Sequence, residues 1–416
     1  MLTQAPKGTQ DVLPQDSYRW QRVEDAMRRV AALAGYREIR TPMFEHTELF
    51  QRGVGDTTDV VQKEMYTFND KGNRSITLKP EGTAGAVRAF IEHHLFADPL
   101  PSKMFYVSCP VFRYEKPQSG RFRQFHQHGV EVFGAKDASV DAEVIALAMD
   151  VLRECGIDGL RLSINSIGCP ACRAAYHEKL RAYLEPKLPS LCETCRERFQ
   201  RNPMRILDCK EDAAKLTDAP AMLDNLCDDC RGHFEALKRY LDALGIAYEI
   251  DPRIVRGLDY YTKTVFEIIT DTENGPLTVC GGGRYDGLVQ ELGGPETCGI
   301  GWGMGVERML MVQDARGVAP EQPALYDAFV CTLGDAARLE GVKLVRELRR
   351  AGVKADLDHA ARSLKAQFKY AGKMNARYVV TIAEDELARG VVKLRDMAES
   401  AEREIPRDAA VAELTK

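Results

Sequence analysis

From Gly299 to Gly305 glycine takes every second position, Gly299-Ile300-Gly301-Trp302-Gly303-Met304-Gly305. Successive side chains of a strand point to opposite faces, so this segment, if extended, has one face with no side chains. Glycine inside a strand weakens it and marks the close approach of something else. A flat base or sugar could lie on that backbone. A helix beginning near Val306 would present Arg308 in its first turn beside it. A packing strand under a close helix also explains the glycines, but not the arginine. The spacing is not GxGxxG and no GxxxxGK occurs, so the Rossmann fingerprint and the P-loop are excluded.

The chain has 416 residues, too many for one ordinary domain. With 44% hydrophobic and 29% charged residues it is neither a disordered chain nor a membrane protein. No run approaches the ~20 apolar residues that span a bilayer. The start lacks the apolar core of a signal peptide, which leads us to expect a cytoplasmic protein. A net charge of −5 excludes a uniformly basic nucleic-acid coat but allows a local basic surface.

Hydrophobic periodicity predicts a helix from about Asp16 to Ala34 and another over Val140–Cys155. Strand-like, antiparallel patterns lie around Lys103–Val107, Val111–Tyr114 and Gln124–Gly134. From about 169 to 244 strand signals vanish, which reads as a helical insertion. After a linker near Pro320, strand and helix alternate. We therefore expect domains at 1–320 and 325–416, the second a small α/β unit with a mainly parallel sheet.

Phe112–Glu115 and Arg121–Gln127 read as two strands joined by a basic loop, placing Arg113 near Arg121 and Arg123. Guanidinium groups on a rigid hairpin suit polyphosphate, being always charged and able to bind bidentately. A solvated charged hairpin accounts for the same residues. On the second strand Gln127, Gly129, Glu131 and Phe133 share a face, a polar pocket wall. Arg256–Thr262 and Gly281–Gly287 each set an arginine, an acid and tyrosine around glycine; taken singly, each reads as a tight turn. His126 and His128 read as structural histidines.

Seven of the twelve cysteines fall between Cys169 and Cys230. The pairs Cys169/Cys172, Cys192/Cys195 and Cys227/Cys230, with Cys209 between, have ligand spacing, and two such pairs close a tetrahedral site. We expect one structural Zn²⁺ in the insertion; partly buried free thiols are the alternative.

Together these segments resemble class II aminoacyl-tRNA synthetases. Gly35–Phe44 is similar to motif 1, Phe112–Glu115 with Arg121–Gln127 to motif 2, and Gly299–Arg308 to motif 3. Arg256–Thr262 and Gly282–Gly287 resemble the histidine-specific motifs of histidyl-tRNA synthetases of bacterial type. Lys7–Pro14, Lys79–Thr83 and Arg362–Gln367 also fit that family. The resemblance implies an α/β (α+β) fold, in which an antiparallel sheet flanked by helices carries a helical insertion and a C-terminal anticodon-binding domain. It implies a homodimer with L-histidine, ATP, Mg²⁺ and tRNA(His) as ligands.

By the same resemblance, Glu81, Thr83 and Gln127 would accept the histidine α-amino group. Glu131 and Tyr261 would read its ring nitrogens, with Tyr260 and Tyr285 packing around it. Arg113 would hold the ATP α-phosphate, Arg308 the γ-phosphate, and Arg121 would join them. Arg256 would stabilise charge on the attacked phosphorus. Lys116 and Gln118 would meet the acceptor end of the tRNA. Two rivals are weighed: the synthetase-shaped regulatory subunit of ATP phosphoribosyltransferase, and a class II synthetase for proline, threonine or glycine. The Arg256–Tyr261 segment argues against both.

Overall fold

The computed structural model describes residues 3–55, 58–207, 209, 211–273 and 275–415. These form two units, 1–320 and 321–416.

The glycine-alternating segment is a strand, Gly299–Gly305, at the middle of an eight-stranded sheet. In order across the sheet the strands are Arg37–Glu38, Ser102–Phe112, Gln124–Phe133, Gly299–Gly305, Gly275–Arg284, Thr262–Thr272, Arg161–Ser166 and Glu249–Ile250. The six inner strands pair antiparallel, and each short edge strand pairs parallel. The segments read as two strands, Lys103–Val107 and Val111–Tyr114, belong to one long strand with an irregular register between Tyr106 and Cys109; it ends at Phe112 and its partner begins at Gln124, so Arg113, Arg121 and Arg123 lie in the connecting loop rather than on strands as expected.

The two faces of the central strand divide the molecule. Ile300, Trp302 and Met304 point into a core shared with Val23 and Met27 of helix Ser17–Leu33 and with Ile145 and Leu152 of helix Ala138–Glu154. The Trp302 Nε1–H donates to Val144 O at 2.9 Å, so the buried indole leaves no polar atom unpaired. Truncating a core aromatic of this kind costs about 3–5 kcal/mol.

The other face carries the glycines. Register places Gly129 opposite Gly303, and Gly303 opposite Gly281. A bare track therefore crosses three strands, bounded by Tyr106 opposite Gly129 and by Glu267 opposite Gly281.

Between Pro170 and Ala243 the described residues form helices and turns with no strand, as the loss of strand signals predicts. Helices Pro170–Leu184, Glu193–Arg201 and Asp228–Ala243 each begin directly after a cysteine, Cys169, Cys192 or Cys227.

In the second unit the sheet order is Ala355–Leu357, Ala328–Thr332, Tyr378–Ile382, Val391–Asp396, Glu402–Pro406. The expectation of a mainly parallel sheet is corrected: the first three strands are parallel, but the last two return antiparallel. A short turn after Asp396, whose carboxylate accepts from Ala398 N and Glu399 N, makes the hairpin that alternation of helix and strand does not foretell. Gln367 is buried: its Oε1 accepts from Thr332 N and its Nε2 donates to Thr332 O, both at 2.9 Å, closing the end of a central strand.

Candidate active site

A cleft of about 730 Å³ opens on the glycine face. Gly281, Gly303 and Gly305 form its floor, and Arg113, Arg121, Arg256 and Arg308 line it. The hairpin, the motif of alternating glycines and the Arg256 loop, far apart in sequence, thus meet in one place.

Each arginine is held by a different device. Arg113 Nε donates to Pro80 O at 2.8 Å, and its guanidinium lies 5.8 Å from the Phe125 ring centre. Arg308, in the first turn of helix Val306–Arg316, donates from Nη1 to Thr278 O at 2.8 Å. Burial, then the charges of Arg121 and Arg113, push its pKa down, a sign of concentrated positive charge that an anion would relieve. Arg256 lies over Gly281, where a Cβ would come within 2.6 Å of its guanidinium, and pairs with Glu267. Burial works against its charge, but Tyr261 and Glu267 outweigh it and raise its pKa.

Arg123, expected near Arg113, is turned away from the cleft: its guanidinium stacks 4.0 Å from the Tyr114 ring centre. Its backbone N–H donates to Gly8 O at 2.7 Å. Gly8 has φ +87°, and a Cβ there would meet Arg123 Cγ at 2.8 Å, so the N-terminal segment braces the hairpin only as glycine. Lys116 and Gln118 are exposed on the hairpin loop.

Beside the cleft is a second, closed cluster. The Glu131 carboxylate, fully buried, accepts from Thr83 Oγ1 at 2.8 Å, from Tyr106 OH at 3.2 Å and from Tyr285 OH. Burial pushes its pKa up to about 8 against the pull of these donors. Glu81 accepts from Thr83 N at 2.8 Å and Ala84 N at 2.7 Å at the start of helix Thr83–Glu92; burial raises its pKa too. Tyr260 and Tyr261 pack ring to ring at 4.7 Å, and Tyr260 is 5.6 Å from Tyr285. Tyr106 and Tyr285 are the tyrosines that donate to Glu131, while Tyr261 packs against Tyr260 beside them. Gln127 reaches into the open cleft over Gly303. The glycines here receive side chains: a Cβ on Gly299 would enter the Tyr285 ring, and one on Gly301 the Glu131 carboxylate.

Three participants were not read from the sequence. Tyr106 fills the space that Gly82 and Gly129 leave open; a glycine inside a strand is the signal that could have found it. Glu267 had no signal beyond its place in a strand. Arg284, expected in a turn, is fully buried against Asp141, which also contacts His233 Nε2 at 3.0 Å. That ion pair positions the chain beside Tyr285.

The six cysteines do not converge on one site. Cys169, Cys172, Cys227 and Cys230 form one group, whereas Cys192 and Cys195 join Cys209 and Asp212 in another. Pairing two CxxC motifs is only one way to complete a quartet, and the third motif takes Cys209 and an acid.

A family profile described as histidyl-tRNA synthetase matches residues 8–309, and one described as anticodon binding domain matches residues 327–416. The chain is 60% identical to a histidine–tRNA ligase of Alkaliphilus oremlandii over 97% of this chain and 96% of that one. It is 55% identical to one of Clostridium perfringens, over 98% of each. The apo S. aureus histidyl-tRNA synthetase structure superposes with a TM-score of 0.86 at 41% identity, covering 99% of this chain and 100% of that one.

Proposed function

This chain belongs to the histidyl-tRNA synthetase family, and we propose that its arginine-lined cleft makes histidyl-adenylate, which it then uses to charge tRNA. The observation that carries this reading is the juxtaposition of two unlike sites on one sheet face: a basic cleft over bare backbone, and a buried polar cluster around Glu131.

In the first step the histidine carboxylate attacks the ATP α-phosphorus and pyrophosphate leaves. Arg113 holds the α-phosphate and Arg308 the γ-phosphate, with Arg121 beside them; the adenosine lies over the Gly303–Gly281 track. Arg256 leaves Glu267 for the charge that builds on the attacked phosphorus. Preorganised charge of this kind is usually the largest catalytic contribution. Histidine enters the Glu131 cluster, with Gln127, Glu81 and Thr83 toward its ammonium and Glu131 and the tyrosines toward its ring. A site of buried polar groups rejects side chains that leave them unpaired.

Mg²⁺ neutralises phosphate charge when bound. The carboxylates suited to it are Glu64 and Glu115, cleft neighbours whose mutual repulsion, after burial, raises the Glu64 pKa.

In the second step the terminal ribose hydroxyl of tRNA(His) takes the acyl group. Lys116 and Gln118 meet the acceptor end from the exposed hairpin loop, and residues 325–416 meet the anticodon. A homodimer is supported by the segment after Pro42, where Met43 and Phe44 are 54% and 55% exposed. Among the described residues no helix is long and apolar enough to cross a membrane.

ATP–pyrophosphate exchange measured with each of the twenty amino acids tests the reading. Exchange with histidine alone is expected. Exchange with proline, threonine or glycine, or with none, overturns it.

A further inference from the structure

We propose that the insertion holds two structural zinc ions, one in a Cys₄ site at its base and one in a Cys₃Asp site at its tip. The base site is Cys169, Cys172, Cys227 and Cys230; the tip site is Cys192, Cys195, Cys209 and Asp212. In each quartet the four donor atoms all lie within 4.8 Å of one another.

The spacing is that of a tetrahedral ion. Sulfurs about 2.3 Å from a zinc at tetrahedral angles are about 3.8 Å apart. Cys169 and Cys172 Sγ are 3.5 Å apart, and Cys192 and Cys209 Sγ 3.8 Å. The quartets are also built, not incidental. Cys169, Cys192 and Cys227 each stand immediately before a helix, so the next cysteine of each pair sits in its first turn on the same side. Cys227 N donates to Cys172 Sγ at 3.1 Å, tying the two base pairs together. Gly168 has φ +64°, and a Cβ there would lie 2.6 Å from Cys172 Cβ.

At the tip, Asp212 is buried although it is an acid among thiols. One oxygen accepts from Cys192 N at 2.8 Å and the other from Lys215 Nζ at 2.7 Å. A carboxylate oriented by outer contacts toward three sulfurs is what a mixed zinc site requires. Thiolate-rich tetrahedral sets favour zinc or iron, and closed four-ligand sets of this type are structural rather than catalytic.

The two ions would do different work. The base ion joins the start of the insertion, residues 169–172, to the start of its last long helix, residues 227–230. The tip ion fixes helix Glu193–Arg201 against the cleft wall. There Arg198 Nη2 pairs with Asp59 at 2.7 Å, and Asn202 Nδ2 donates to Asp259 Oδ1 at 2.8 Å.

Metal content of the full-length chain, purified without chelator from zinc-supplemented cells, tests the proposal. About two zinc per chain is expected, falling to about one in Cys209→Ser and about one in Cys172→Ser. If either variant fails to fold, titrating the unmodified chain with an organomercurial decides, since seven thiols should react as two equivalents of zinc are released. One zinc per chain, less than about one half, iron in its place, or disulfides within the quartets would each overturn it. None of these outcomes depends on which amino acid the cleft activates.

Discussion

The Arg256 guanidinium lies on the bare backbone of Gly281 and pairs with Glu267, which also accepts from Thr278 Oγ1 at 3.1 Å. An arginine held over glycine by one acid is anchored but can exchange that acid for a phosphate. If Arg256 meets the charge on the attacked phosphorus as proposed, replacing it with alanine lowers adenylate formation by about 10²–10³-fold, because such a contact strengthens in the transition state. Histidine and ATP should still bind. Single-turnover activation and equilibrium dialysis check this together; near-normal activation would remove Arg256 from the chemistry.

Glu131 sets a pH dependence. Its pKa, raised by burial to about 8, lies above the value near 4.3 of an unfolded glutamate. Between those values the folded chain binds the extra proton, so this residue's contribution to stability falls as pH rises and levels off above about 8. Its share of the slope is at most about 1.4 kcal/mol per pH unit. Urea unfolding from pH 5 to 8 should show a shallower decline in Glu131→Gln than in the parent. Parallel profiles would mean that Glu131 stays ionised in the folded chain.

The bare face of the central strand makes a third test. At Gly301 a Cβ would enter both the Glu131 carboxylate and the backbone oxygen of Val130. A side chain can yield, but a ladder carbonyl in mid-sheet does not. Gly301→Ala is expected to cost about 1–3 kcal/mol, the range for overpacking, and to raise the KM for histidine more than that for ATP. Gly287→Ala, with nothing within 4 Å of the added carbon, is the control. Equal KM values for parent and Gly301→Ala would detach Gly301 from the amino-acid pocket.

How far such a site can be read from sequence depends on whether the signal is local. Alternating glycines state their own geometry through the period of a strand, and Arg308 follows two residues into the next helix. The hairpin arginines were legible for the same reason, although Arg123 turned to Tyr114 because an aromatic face one strand away competed for it. Tyr106, Glu267 and the Arg284–Asp141–His233 contact were not legible. Their partners lie from 11 to 143 residues away in sequence, and strand register for Tyr106 and helix packing for Arg284, Asp141 and His233, not spacing, bring them together. The cysteines lie between these cases: the pairs are local, but which pair meets which is decided by helix packing, and Asp212 looks like any surface acid until the fold buries it.

The two units separate the cleft from the anticodon-binding domain. Residues 1–320 contain the cleft and the Glu131 cluster with all their described side chains, and 321–416 have a core of their own around Val330, Leu344 and Val380. A chain ending at Pro320 is therefore expected to fold and to retain histidine-dependent pyrophosphate exchange within about tenfold, because no arginine of the cleft is lost. Charging of tRNA should fall much further, by about 10²-fold or more, since binding contacts worth several kcal/mol go with the anticodon unit. Measuring both rates on the same preparation, with circular dichroism to confirm the fold, gives the ratio that matters. Equal loss of exchange and charging would mean that the second unit supports the cleft rather than the tRNA.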